Sequence, residues 1–108
     1  MSRKTHTYSP WTLDAIAVLG RQITAERRTR RWTQEDLAER AGISYQTLAK
    51  IEKGSSTPAI GTVFEVASLL GIPLVGASED SARQLIDVRL ALLPSRVERS
   101  RDDGDNDF

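Results

Sequence analysis

The stretch from Thr33 to Gly54 constrains this chain more than any other part of it. It reads Thr-Gln-Glu-Asp-Leu-Ala-Glu-Arg-Ala-Gly-Ile-Ser-Tyr-Gln-Thr-Leu-Ala-Lys-Ile-Glu-Lys-Gly. Thr33 followed three residues later by Asp36 is a capping-box pattern, so a helix begins at about Gln34. Leu37, Ala38 and Ala41 give that helix one apolar face. Gly42 is free to take the left-handed conformation that ends it. Ile43 plugs the corner, and Ser44 is a natural N-cap for a second helix. Leu48 and Ile51 are the apolar pair of that second helix, and Gly54 stops it. The spacing therefore predicts two short helices, about Gln34–Ala41 and Tyr45–Lys53, joined by a tight turn: a helix-turn-helix pattern.

The flanks supply the rest of a helical bundle. Ser9-Pro10 is a cap followed by a first-turn proline, and Leu13, Ile16, Ala17, Leu19, Gly20 and Ile23 form a stripe through about Arg30. Thr57-Pro58 is expected to cap and start a further helix carrying Ile60, Val63, Phe64, Val66, Ala67, Leu69 and Leu70, the most apolar of the chain. Gly71 ends it. A last helix is expected over about Asp80–Leu93, before Pro94. Its apolar residues either complete the core or form a dimer interface. The expected fold is all-α: a compact bundle of five helices containing the helix-turn-helix. The expected organisation is a flexible arm over 1–8, a domain over 9–74, a linker and C-terminal helix over 75–94, and a disordered charged tail over 95–108.

Several function classes fall away. The chain has no cysteine and a single histidine, His6, so no metal or cofactor site, thiolate centre or catalytic triad is expected. No apolar run is long enough for a membrane span, and the N-terminus lacks the apolar core of a signal peptide. A soluble cytoplasmic protein, not an enzyme, is the simplest reading. No ligand-sensing domain is evident, so no small-molecule effector is expected.

Charge is segregated. Residues 1–53 hold ten Lys/Arg against six Asp/Glu, whereas residues 54–108 hold five against nine. The first half is suited to a polyanion. Arg3 and Lys4 in the arm, and the cluster Arg27, Arg28, Arg30 and Arg31, are candidates to touch phosphate. Glu26 is expected at the core's edge, paired with a neighbouring arginine. At about 100° per residue, the face of the second motif helix opposite Leu48 and Ile51 carries Gln46, Ala49, Lys50 and Lys53, with Tyr45 at its leading edge. That face combines an amide, a small residue and cations, and no carboxylate. It suits a helix lying in a DNA groove, where glutamine can bond adenine and lysine can reach guanine or phosphate. The N-termini of both motif helices would add backbone donors for phosphate.

Residues 13–74 resemble the phage-repressor-like helix-turn-helix family, the Cro/C1 or Xre type. The matching residues are Leu19-Gly20, Ile23, Arg27, Trp32-Thr33-Gln34, Leu37-Ala38, Ala41-Gly42-Ile43-Ser44, Leu48, Ile51-Glu52, Gly54, Pro58, Ala67 and Leu70-Gly71. The resemblance implies a lambda-repressor-like fold that binds double-stranded DNA at a palindromic operator as a homodimer. It implies base reading by Tyr45, Gln46, Thr47 and Lys50. Phosphate contact is expected from Gln34, Ser44, Lys53, Arg28 and Arg31, and a structural ion pair between Arg27 and Glu52. Two positions depart from the family. Glu26 stands where relatives carry a small or apolar residue. Arg31 stands where they often carry glycine, so the turn into the motif is expected to differ in geometry.

The long first helix, the extra helix and the tail ending Asp-Asn-Asp-Phe also look like antitoxins that partner HipA-type toxin kinases. That resemblance implies a repressor that autoregulates its operon and neutralises the toxin. A stand-alone repressor is one alternative. A protein-interaction module that has lost DNA binding is another, which would be expected to carry acidic residues on the outward face.

Overall fold

The computed structural model describes residues 7–74 and 79–99. The arm residues Arg3, Lys4 and His6, part of the linker and the acidic end of the tail, including Phe108, lie outside them. Five helices follow in order: α1 (Pro10–Thr29), α2 (Gln34–Ala41), α3 (Tyr45–Glu52), α4 (Ile60–Leu69) and α5 (Glu79–Leu92). The described residues contain no strand, so the fold is all-α.

Local chemistry sets the helix starts. Ser9 caps α1 by accepting from the Thr12 N–H at 3.3 Å, with Pro10 in the first turn. Thr33 and Asp36 form the reciprocal capping box of α2, at 3.0 and 2.9 Å. Ser44 accepts from the Thr47 N–H at 3.1 Å to cap α3. Each such cap is worth about 1 kcal/mol. α4 departs from expectation. Its N-cap is Ala59 and no side chain caps it, so Thr57-Pro58 does not start the helix. The Thr57 hydroxyl is instead engaged by Ser55 at 2.9 Å, and the Thr57 N–H donates to the Ser55 hydroxyl, which holds a turn.

The first four helices end alike. In each, two backbone bonds fold the chain back in a Schellman motif: Arg31 N–H to Arg28 O with Trp32 N–H to Arg27 O, and the same pattern at Gly42–Ile43, Gly54–Ser55 and Gly71–Ile72. The residue at the turn has positive φ each time: 60° at Arg31, 71° at Gly42, 82° at Gly54 and 74° at Gly71. The turn into the motif therefore keeps the left-handed geometry that glycine would favour. The expected difference in geometry is absent, and Arg31 adopts that conformation at its own steric cost.

The core of residues 7–74 comprises Ile23, Leu37, Ala38, Leu48, Ile51, Val66, Ala67, Leu70 and Ile72. Leu19, Trp32, Ala41, Ile43, Val63, Leu69 and Leu74 pack around it. Burying each large member contributes about 1.5–3 kcal/mol. Three residues expected in the apolar stripes of α1 and α4 are exposed: Leu13 is 45% exposed, Ile60 70% and Phe64 42%. Leu13 precedes the part of α1 that meets α3, and Ile60 and Phe64 sit on the first turns of α4 beside an apolar groove of about 370 Å³. α5 belongs to a second unit. It includes no buried residue.

Candidate nucleic-acid interface

The interface is built from the inside outward. Gly20 on α1 lies against the backbone of α3: a Cβ placed there would sit 2.5 Å from the Ile51 carbonyl oxygen and 2.9 Å from that of Glu52. No side chain separates the two helices at this point. Two turns further along α1, Arg27 grips Glu52 in a two-pronged pair, with Nε to Oε2 at 2.7 Å and Nη2 to Oε1 at 2.9 Å. Arg27 also donates to the Trp32 carbonyl at 2.9 Å. Glu52 Oε1 accepts from the Thr24 hydroxyl and from Gln34 Nε2, each at 3.0 Å. One carboxylate thus ties α1, α2 and α3 together.

Burial alone would push the Glu52 carboxyl up. The hydrogen bonds from Arg27, Gln34 and Thr24, with the charge of Arg27, outweigh it and hold the group below the usual carboxylate range. The bond to Glu52 likewise raises the Arg27 guanidinium above its ordinary value, against the cost of burial.

This network forms part of the lining of an open polar depression of about 530 Å³, with Arg28, Gln34, Glu35, Tyr45 and Lys53 also around it. The structure thus brings together four of the predicted DNA-facing residues from three helices: Arg28, Gln34, Tyr45 and Lys53. Tyr45 opens α3, and Gln46, Lys50 and Lys53 are exposed. Ala49 is half-buried. Ser44 and Thr47 are less free than their sequence assignment implies, since the Ser44 hydroxyl donates to that of Thr47 at 2.9 Å. Gln34 has one amide N–H committed to Glu52, which fixes the orientation of its head group.

The arginine cluster divides by role. Arg27 is buried in the ion pair. Arg30 pairs with Glu26 at 2.8 Å, as expected for Glu26, and also donates to the Leu70 carbonyl at 3.1 Å, tying the end of α1 to that of α4. Arg28 and Arg31 are exposed, and among the described residues neither side chain makes a hydrogen bond. The sequence reading missed Thr24 and the tie from Arg30 to Leu70. It also missed the stacking of Arg40 over the Trp32 ring at 4.1 Å. Thr24 was findable: it sits four residues after Gly20 and three before Arg27, on the same face of α1. The Arg30 contact joins residues far apart in sequence and had no local signal.

Two short capped helices at a glycine turn, locked on α1 by a buried ion pair and presenting an amide and cations outward, define a helix-turn-helix protein. Residues 23–76, half of the chain, match the family model described as helix-turn-helix. The chain belongs to this family and carries its DNA-binding domain. It is similar to an uncharacterized HTH-type transcriptional regulator of Sinorhizobium fredii, y4dJ, with 33% identity over 60 residues, covering 56% of this chain and 78% of the relative. The regulator YazB of Bacillus subtilis is 36% identical over 55 residues, covering 51% of this chain and 80% of that one. The immunity repressor protein of Bacillus phage phi105 is 43% identical over 54 residues, half of this chain but only 38% of the phage protein.

Proposed function

We propose that the protein is a sequence-specific transcriptional repressor that binds a palindromic operator as a homodimer, with α3 in the major groove. The observation that carries this reading is the convergence of Arg28, Gln34, Tyr45 and Lys53 on one depression, with Gln46 and Lys50 exposed on the same helix as Tyr45. Cations at the rim of that depression meet phosphate and supply salt-dependent affinity. Gln46 and Lys50 read base edges, and Tyr45 packs on a thymine methyl or bonds a phosphate. The relatives named as regulators and as an immunity repressor support this use. A cytoplasmic location goes with it.

The test is binding to the DNA upstream of the protein's own gene. Gln46→Ala should cost about 1–3 kcal/mol on the cognate site and relax discrimination at one base pair. Lys53→Ala should weaken binding on all sequences and reduce the salt slope by about 1. Wild-type binding that is flat in salt would sink the reading.

A second reading, that the repressor is also the antitoxin of a HipA-type toxin kinase, draws on α5. Its Leu85, Ile86, Val88, Leu90 and Leu92 are all exposed and suit a protein partner. Co-purification with a kinase encoded beside the gene, and loss of kinase activity in the complex, tests it. Without such a gene beside it, the stand-alone repressor remains.

A further inference from the structure

Of the residues around the polar depression, Glu35 has no place in the binding scheme above. It is exposed on the first turn of α2 and lies on the same depression as Arg28, Gln34 and Lys53. No ion pair among the described residues uses it. Its neighbour Asp36 is committed to the Thr33 N–H at 2.9 Å, whereas among the described residues Glu35 has no such partner. Inside the depression Arg27 and Glu52 neutralise each other. The charges left to face a ligand are Arg28 and Lys53, opposed by Glu35.

We infer that Glu35 is an affinity-limiting residue of the DNA face: an unpaired carboxylate that opposes phosphate where Arg28 and Lys53 attract it. The inference rests on the DNA-binding reading. It also bears on the N-terminus of α2. The helix dipole there favours an anion, but Glu35 and Asp36 already supply negative charge to that first turn. Phosphate therefore gains less from this helix end than from α3, whose first turn carries no acidic residue. At about 7 Å in a water-like medium, one unit charge changes phosphate binding by roughly threefold, less as salt rises.

The experiment titrates a labelled mixed-sequence DNA duplex with wild type, Glu35→Gln and Lys53→Ala at salt concentrations from about 50 to 200 mM. Thermal unfolding of each protein is measured alongside. Glu35→Gln should bind about threefold tighter at the lowest salt, with a steeper salt dependence, while Lys53→Ala shifts the opposite way. If Glu35→Gln unfolds at lower temperature but its binding curves superimpose on wild type, Glu35 serves the helix dipole alone and the inference is overturned. If wild type itself shows no salt-dependent binding, the DNA-binding reading fails first.

Discussion

Arg27 and Glu52 face each other across α1 and α3 with paired contacts of 2.7 and 2.9 Å, and both side chains are at least nine-tenths buried. Removing one partner strands the other charge in the interior. Glu52→Ala is therefore expected to destabilise the fold by about 3–5 kcal/mol, measured by urea unfolding. The double variant Arg27→Met, Glu52→Leu should recover much of that loss. If the double variant is as unstable as the single one, the pair is not acting as a charge pair.

The same carboxylate gives a pH dependence. The Glu52 carboxyl is held below its ordinary range, and so is that of Asp36, which accepts from the Thr33 backbone N–H and engages its hydroxyl. A depressed carboxyl stabilises the fold above its unfolded-state pKa, near 4, and that stability is lost as pH falls through the lower folded-state value. The unfolding temperature should thus hold steady from neutral pH to about 5 and fall below about 4. Asp36→Asn should lower it at neutral pH and make the acid fall shallower. Parallel curves for the two proteins would remove Asp36 from the explanation.

Gly20 is where α1 meets the backbone of α3. In Gly20→Ala the new methyl meets the Ile51 carbonyl, and backbone cannot rotate aside as a flexible side chain would. The expected cost is about 1–3 kcal/mol despite the better helix propensity of alanine. Gly61 is the control: a Cβ there meets nothing within 4 Å, so Gly61→Ala on α4 should be neutral or stabilising. Equal effects at the two sites, compared by thermal unfolding, would rule out close approach as the cause.

Arg31 occupies the left-handed position that glycine fills at the ends of α2, α3 and α4. Arg31→Gly relieves that conformation and should stabilise the fold by about 1 kcal/mol. If Arg31 also meets phosphate, the same variant binds DNA more weakly. Greater stability with unchanged affinity would separate Arg31 from the DNA face.

What was legible in the sequence was local. Ser9, Thr33 and Ser44 cap within three residues of themselves, and Gly42 ends its helix with its own neighbours, so neither needs a tertiary context. Thr57 looked like a cap by the same rule but failed, because Ser55 competes for its hydroxyl. The apolar stripes gave the right faces but not their extent. Leu13, Ile60 and Phe64 lie on the expected faces yet stay exposed, since periodicity does not say where a neighbouring helix stops. The ion pair of Arg27 with Glu52 came from family resemblance, and the contacts of Thr24 and Arg30 came only from the structure. Such links depend on how helices cross, which spacing within one helix does not encode.

The contact of Gly20 with the α3 backbone bears on how mismatch is shared between protein and duplex. With no compressible side chain between the helix that carries Arg28 and the helix that carries Gln46, the proposed complex would present those two positions to DNA at a fixed separation. A site whose groove width or twist does not suit that separation must itself deform, and the cost depends on its sequence. Base pairs that the protein never touches then contribute to the choice of operator.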